Sequence, residues 1–314
     1  MSHTHAPLHY YGHGKLMLTG EYFVLDGAKA LAIPTRYGQH LRCSELTSVS
    51  NILYWVALNH LKQPWLTLTF DKTTFNCLHS DSKEAQTLST ILTQARVLNP
   101  TFLTQPQDTA IETFLEFPNE WGLGSSSTLI HCIAALAQVD GFTLLHRTIG
   151  GSGYDVACGG SPSPIVYQLQ AGVGSYEPVL FSPPFQQHLY FAYTGQKQLS
   201  SAGIVHYHST AIRKQDTIVW LNTITEAMLQ CQSLAKMEQL IAEHESIISD
   251  SLSLPKVKDR LFPHYWGAVK SLGAWGGDFV MLTNDHSEEE FAHYLHSVGI
   301  TVYSSYDSMR WKLP

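Results

Sequence analysis

The chain has 314 residues, of which 44% are hydrophobic and 14% charged, and its formal net charge is -7. This length is enough to bury a large core and favours two domains over one. Because the charge is sparse and acidic, no basic face is available for a nucleic-acid backbone or an anionic membrane, and we expect neither partner.

The cysteines and histidines show no spacing typical of a metal or redox site. The five cysteines lie far apart and form no C-x-x-C pair, which predicts reduced, mostly buried thiols. The His244-Glu245 pair lacks the second histidine of a zinc-protease helix.

Residues 1–7 lack the basic flank and apolar run of a signal peptide, and no later segment approaches a membrane-spanning length. We therefore expect a cytoplasmic protein.

The N-terminal third mixes strands and helices. Residues 15–19 and 22–25 are predicted as strands around the Asp26-Gly27 turn, with the apolar run 30–33 pairing after it. Residues 86–98 have apolar side chains at helical spacing, and the helix is predicted to end at Asn99-Pro100.

The middle of the chain places glycine loops before helices. A strand at 113–117 is followed by a loop at 118–124 and by a helix at 125–139, which carries apolar residues on one face. A second glycine loop at 150–153 precedes residues 154–158. Pro183-Pro184 is a natural boundary, which predicts an N-terminal domain at 1–184 and a C-terminal domain at 185–314.

The C-terminal part continues the alternation of helices and strands. Strands are predicted at 188–193, 279–283 and 300–304, helices at 210–231, 234–249 and 287–297, and a third glycine-rich turn at 273–278. The whole pattern predicts an α+β fold.

The clearest chemical pattern is Gly122-Leu123-Gly124-Ser125-Ser126-Ser127 at the start of an amphipathic helix. Glycines let backbone amides approach an anion, and the positive end of the helix dipole favours phosphate. Serine hydroxyls can add hydrogen bonds or a magnesium ligand. The alternative is that a Gly-Ser cluster only caps the helix, because serine is a preferred capping residue.

Two other phosphate or nucleophile motifs are excluded. Gly14-Lys15 is followed by Leu16, so it is not a Walker A loop. Neither Ser125 nor Ser152 lies in a G-x-S-x-G elbow, which argues against a serine hydrolase.

Asp155 follows Gly151-Ser152-Gly153-Tyr154, where small residues would let a substrate approach. A carboxylate there can orient or deprotonate a hydroxyl, as an aspartate does in phosphoryl transfer. Taken alone, Asp155 is better explained as a helix cap, and Lys15 is better explained as a solvated lysine.

The combination of Lys15, Asp155 and the three glycine loops resembles the GHMP (galactokinase, homoserine, mevalonate, phosphomevalonate) kinase superfamily. The first motif is Gly14-Lys15-Leu16-Met17-Leu18-Thr19-Gly20-Glu21-Tyr22, the second runs from Pro118 to Ser127, and the third is Gly273-Ala274-Trp275-Gly276-Gly277-Asp278. The resemblance implies an N-terminal domain like ribosomal protein S5 domain 2 and a ferredoxin-like C-terminal domain.

The resemblance also implies a set of roles. The phosphates of ATP would be bound by residues 122–127, which are Gly122, Leu123, Gly124, Ser125, Ser126 and Ser127. Ser126 would also help to hold Mg²⁺. Asp155 would take the proton from the attacking hydroxyl or orient it, and Lys15 would offset the charge.

Details narrow the branch of the superfamily. Tyr22 replaces the histidine that is usual in mevalonate kinases and galactokinases, and the stretch around Asp155 resembles bacterial phosphomevalonate kinases. A small-molecule substrate of the mevalonate pathway, phosphomevalonate or mevalonate, is therefore expected. The residues expected to contact it are Glu21, Tyr22, Gly153, Tyr154, Lys197, Gly276 and Gly277. Lys15, Arg147 and Lys197 are the candidate cations for an anionic acceptor.

Two departures from the usual residues of the superfamily leave alternative functions open. Residues 144–148 offer His146 and Arg147 but not the glutamate that binds magnesium in mevalonate kinases, and Trp275 stands where a small residue is usual. Trp275 would either narrow the pocket or pack in the core. The alternatives are a sugar kinase, a related ATP-dependent decarboxylase, or a non-catalytic binding protein of the same fold. The chain is expected to be a monomer or a homodimer.

Overall fold

The computed structural model describes residues 6–196, 200–210 and 214–312. The chain divides into two compact units. The first unit contains the described residues of 1–14, 37–119 and 123–160, and the second contains those of 15–36, 120–122 and 161–314. The domain boundary at residue 184 stays a prediction.

The first unit is built from strands and four helices. Its strands are β1 (Leu8–Met17), β2 (Ala30–Glu45), β3 (Ile52–Leu58), β4 (Pro64–Asp71) and β5 (Thr109–Leu115), and its helices are α1 (Lys83–Leu98), α2 (Ser125–Ala137), α3 (Gly141–Thr148) and α4 (Tyr154–Gly159). The last residues of β1 and the first residues of β2 belong to the second unit.

The sheet of the first unit has one buried face. β3 pairs antiparallel with β4 and parallel with β5, and residues 39–45 of β2 pair antiparallel with β5. Side chains along β3 and β5 alternate between buried and partly exposed, because successive residues of a strand point to opposite faces. Trp55 and Ile111 on the buried face pack with Leu88 of α1 and Ile133 of α2.

A half-buried glutamate joins β1 and β2 of the first unit. Glu116 accepts hydrogen bonds from the Tyr11 hydroxyl at 2.8 Å and from the Gly38 amide at 2.9 Å. His40 Nε2 lies 3.1 Å from the other carboxylate oxygen of Glu116. We call these residues the Glu116 cluster.

The second unit contains the remaining elements. Its strands are β6 (Ile165–Gln170), β7 (Val173–Pro178), β8 (Leu189–Tyr193), β9 (Val269–Ser271), β10 (Phe279–Thr283) and β11 (Tyr303–Ser305), and its helices are α5 (Ser200–Thr210), α6 (Lys214–Leu229), α7 (Leu234–Leu252), α8 (Val257–Leu261), α9 (Glu288–Ser297) and α10 (Tyr306–Met309).

An antiparallel sheet of four strands, in the order β11-β8-β10-β9, forms the centre of the second unit. All five residues of β10 are buried. Val280 and Leu282 of β10 pack with Phe262 and Phe291. Residues 30–32 of β2 pair with β6, and β6 pairs with β7.

Several predicted elements differ from the structure. Residues 22–25 are not a strand, because Tyr22 has a positive φ of 55° and a short 3-10 helix, Phe23–Asp26, follows it. The helix predicted at 210–231 corresponds to α6, whereas α5 was not predicted. All five cysteines are unpaired, as expected. Of the helices described, none combines the length and the apolar character that a membrane crossing needs.

Candidate active site

The second glycine motif forms the turn that leads into α2. Gly122 and Gly124 have positive φ angles of 67° and 90°, and α2 begins at Ser125. Side chains are strained at such angles, which is why glycine is suited to both positions. The Leu123 side chain between them is fully buried and anchors the loop in the core.

The N-terminus of α2 has the features of an anion site. Its N-cap residue, Gly124, has no side chain to cap the helix, and the first turn contains no acidic residue. The uncapped first-turn amides and the positive end of the helix dipole favour a negatively charged group. Ser125 Oγ donates to Asn119 Oδ1 at 2.8 Å, whereas Ser126 is exposed and Ser127 is buried. Ser126 is therefore the serine whose side chain is accessible to a ligand.

Asp155 lies in the first turn of α4. Gly153, with a φ of 90°, is the N-cap residue, and Asp155 and Tyr154 are partly exposed. Asp155 Oδ1 accepts a hydrogen bond from the Val156 amide at 3.2 Å. Within the first unit, α4 packs against α2. Asp155 is therefore a partly exposed carboxylate in the first turn of its helix, and its catalytic role stays a prediction.

In the second unit, residues of all three motifs meet at Gly122. Lys15 Nζ of the first motif donates to the Gly122 carbonyl at 3.1 Å. Asp278, which ends the third motif, lies so close to the Gly122 Cα that a Cβ there would overlap with the carboxylate. Glycine is thus required at this position both by its φ angle and by the close approach of Asp278.

A second contact joins the first and third motifs. The Trp275 amide donates to the Tyr22 hydroxyl at 2.9 Å. The Trp275 indole packs with Phe23 and Tyr207, and its Nε1 donates to a backbone carbonyl at 3.2 Å. Trp275 was expected either to narrow the pocket or to pack in the core, and the packing in the core is confirmed. The hydroxyl of Tyr22 is bonded to the protein itself, and its predicted contact with substrate stays a prediction.

Glu21 is the centre of a fully buried ionic cluster, which we call the Glu21 cluster. Lys270 Nζ of β9 lies 2.5 Å from Glu21 Oε1 and 3.1 Å from Glu245 Oε1 of α7. His244 Nε2 lies 3.3 Å from Glu21 Oε2. These four side chains are at most 3% exposed. The carboxylate of Glu21 is therefore engaged inside the second unit, and its predicted substrate contact stays a prediction.

The pKa values of the Glu21 cluster follow from burial of two carboxylates around one cation. Burial raises the pKa of Glu245 to about 7, although Lys270 opposes the shift. Burial lowers the pKa of Lys270, but Glu21 and Glu245 outweigh it and leave the pKa raised. Burial places the pKa of His244 well below its ordinary value, so the imidazole is neutral. Lys270 is the cation of the cluster.

The other predicted residues of the third motif are buried. Gly276 has a φ of 83°, and Gly276 and Gly277 are both buried. The Gly276 carbonyl accepts a hydrogen bond from the guanidinium of Arg260, on α8. Lys197, which was also predicted to contact substrate, lies outside the described residues.

Arg260 and most of the Glu21 cluster were not predicted from the sequence. The only hint of the cluster in the sequence was the adjacent pair His244-Glu245, which was considered as a metal motif. No local pattern connects Lys270 with Glu21, because 249 positions separate them.

The chain resembles known proteins in its structure. No protein-family model matches the chain, and no curated protein matches it. Methanococcus jannaschii mevalonate kinase is similar with a TM-score of 0.68 over 99% of this chain and 100% of that chain, at 13% identity. Streptococcus pneumoniae phosphomevalonate kinase, in complex with phosphomevalonate and AMPPNP, gives a TM-score of 0.68 over 95% and 99%, at 15% identity. The chain has the GHMP kinase fold.

The same fold includes a sugar kinase. Lactococcus lactis galactokinase, complexed with galactose, is similar with a TM-score of 0.71 over 98% of this chain and 94% of that chain, at 11% identity. The α+β GHMP kinase fold implied by the three glycine motifs is therefore confirmed, and similarity at 11% to 15% identity establishes the fold alone.

Proposed function

We propose that the protein is an ATP-dependent small-molecule kinase whose acceptor is phosphomevalonate or mevalonate. The observation that carries this proposal is the N-terminus of α2, which offers uncapped first-turn amides beside two glycines with positive φ. Such an end is suited to the phosphates of a nucleotide. The mevalonate-pathway acceptor is supported by Tyr22 and the Gly-Tyr-Asp stretch, and by the similarity to kinases of that pathway.

Within this proposal, the glycine-serine loop binds the phosphates of ATP. The exposed Ser126 hydroxyl is suited to Mg²⁺, which would neutralise phosphate charge. Among the described residues, no group of three His, Cys, Asp or Glu side chains is arranged to hold a metal ion. Magnesium would accordingly depend on Ser126 together with phosphate oxygens and water, which is a common arrangement for this ion.

The acid and the lysine have separate roles in the proposed reaction. Asp155 orients the acceptor hydroxyl and accepts its proton as the oxygen attacks the transferred phosphoryl group. Lys15 provides positive charge where negative charge develops. Its Nζ donates to the Gly122 carbonyl, which holds the ammonium at the beginning of the phosphate loop.

The test is an ADP-release assay with Mg-ATP and a panel of mevalonate, 5-phosphomevalonate, galactose and homoserine. With the true acceptor, we expect Asp155→Asn to lower kcat by about 10²- to 10⁴-fold, because the amide cannot accept the proton. Asp81→Asn is the matched control, since Asp81 is exposed in the same unit, and it should keep wild-type turnover.

The outcomes separate the candidate functions. Turnover of mevalonate or 5-phosphomevalonate that collapses in Asp155→Asn supports the proposal. Turnover of galactose would identify a sugar kinase, and release of carbon dioxide from a diphosphorylated acceptor would identify a decarboxylase. ATP binding without turnover of any acceptor would contradict the proposal and favour a non-catalytic role.

A further inference from the structure

Arg260 is an exposed cation in contact with the third glycine motif. It lies near the end of α8, and its Nη2 donates to the Gly276 carbonyl. Within the described residues, no carboxylate lies at ion-pair distance from the guanidinium. A guanidinium has five N–H donors, so one bond to a carbonyl leaves most of its capacity unused.

The contact between Arg260 and Gly276 is close. A Cβ at position 276 would lie 3.0 Å from Nη2, which a shift of the flexible Arg260 side chain would relieve. The φ of 83° at Gly276 is the feature that favours glycine here. The hydrogen bond to the loop backbone orients the guanidinium while the side chain stays exposed to solvent. A pre-oriented, exposed guanidinium is well suited to bidentate binding of a carboxylate or a phosphate.

Arg260 also lies close to the meeting point of the three motifs. Gly276 is two residues before Asp278, so their Cα atoms are at most about 7.6 Å apart. Asp278 contacts Gly122, whose carbonyl accepts a bond from Lys15. All of these contacts lie within the second unit. A small molecule at the third motif could therefore place one end near Arg260 and the other near Lys15.

Several other cations of the second unit have partners outside the third motif. In the part of the chain that the structure describes, these partners are Glu226 for Lys29, Ser246 for Lys256, the Gly267 carbonyl for Lys258, the Glu21 cluster for Lys270, and Asp307 for Arg310 and Lys312. None of these partners belongs to the third motif. Arg260 is thus distinguished from them by its contact with the third motif.

We propose that Arg260 binds the anionic group, a carboxylate or a phosphate, of the phosphoryl acceptor. This inference rests on the proposed kinase function and makes Arg260 a residue that selects anionic acceptors over neutral ones. The candidate cations predicted from the sequence were Lys15, Arg147 and Lys197. Arg260 was not among them, and it is anchored to a glycine of the third motif.

The kinetic test compares Arg260→Gln and Arg260→Lys with wild type. For an anionic acceptor, we expect Arg260→Gln to raise KM by about 10- to 100-fold, as expected for loss of hydrogen bonds to a charged group. Arg260→Lys should restore part of the affinity, because the charge remains without the bidentate geometry. The KM for ATP should be unchanged in both variants. Lys236→Gln is the control, since Lys236 is an exposed cation of the same unit.

Different acceptors identify which anion is bound. An Arg260→Gln effect on 5-phosphomevalonate alone would assign a phosphate, and an equal effect on mevalonate would assign a carboxylate. Either result supports the inference. An unchanged KM for every anionic acceptor that the wild type uses, or an equal rise in KM for a neutral acceptor, would overturn it.

A binding test without ATP keeps the inference separate from the proposed kinase reaction. Wild-type protein is treated with the arginine reagent phenylglyoxal, and modification of Arg260 is measured by mass spectrometry with 5-phosphomevalonate, mevalonate or galactose present. We expect protection by the anionic compounds but not by galactose. Protection without turnover would remove the kinase function while keeping the anion site. Turnover without protection and without a KM effect would contradict the anion site alone. Absence of both turnover and protection would contradict the kinase function and the anion site together.

Discussion

Glu116 in the first unit and Glu245 in the second are both hydrogen-bonded glutamates, but their pKa values move in opposite directions from the ordinary value of 4.5. Burial raises the pKa of Glu116, but hydrogen bonds from His40, Tyr11 and the Gly38 amide outweigh it, so the pKa is lowered. Three donors around one partly exposed carboxylate stabilise its charged form.

The pKa of Glu245, in contrast, is raised. Burial raises its pKa, Lys270 lowers it only in part, and the neighbouring Glu21 raises it further. Two buried carboxylates thus share one ammonium. The comparison shows that the number of donors for each carboxylate, together with burial, decides whether a glutamate favours its charged or its neutral form.

The largest expected effect is that of Lys270→Met. The variant removes the cation of the Glu21 cluster and leaves two buried carboxylates without it, so we expect a loss of about 3–5 kcal/mol in the free energy of unfolding. Denaturant unfolding with wild type in parallel measures this. Lys29→Met is the control, because its ion pair with Glu226 is partly exposed and should contribute at most about 1 kcal/mol.

The double variant Glu21→Gln/Lys270→Met sharpens the same comparison. It removes one carboxylate together with the cation, so we expect it to be more stable than Lys270→Met alone. A Lys270→Met protein that unfolds at the wild-type denaturant midpoint would show that the buried cluster does not depend on its lysine.

A pH profile of stability separates Glu245 from Glu116. Because the folded pKa of Glu245 is about 7, above its ordinary 4.5, the folded state holds the proton more tightly. This contribution to stability is complete below pH 4.5 and is lost as the pH rises to about 7. Glu245→Gln should remove that loss, which denaturant midpoints measured between pH 5 and 8 would show. Equal slopes in wild type and variant would refute the assignment.

Glu116 should have the smallest effect on stability, and its pH dependence should be opposite in sign to that of Glu245. Its lowered pKa means that stability is present above pH 4.5 and is lost as the pH falls below it. Since the Glu116 side chain is 30% exposed, solvent weakens the effect, and we expect about 1 kcal/mol. Glu116→Gln should flatten the acid limb of the stability profile between pH 5 and 3. A variant that keeps the wild-type acid limb would argue against this role.

Local patterns predicted the elements that local interactions define. β10 was predicted with its observed bounds, because a glycine turn precedes a short apolar run that fills the strand. The start of α2 was predicted correctly, since the glycine loop ends where the amphipathic period begins. Both features depend on neighbours within a few residues.

Contacts between distant residues were not predictable in this way. Residues 22–25 resemble a strand in composition, but Tyr22 adopts a positive φ and its hydroxyl accepts a hydrogen bond from Trp275, 253 positions later. The alternation of polar and apolar residues carries no information about such a partner. The same holds for Arg260, whose guanidinium donates to the backbone carbonyl of Gly276.

The pairing of Glu21 with Lys270 has a consequence for synthesis on the ribosome. The 249 positions between them take roughly 12–50 s to translate at about 5–20 residues per second. All residues of the first unit have been made by residue 160, whereas Glu21 must wait for a cation that is encoded 249 positions after it. The second unit can therefore complete its ionic core only after residue 270 has been made, and a nascent chain that stops before this residue would keep the Glu21 carboxylate without its lysine.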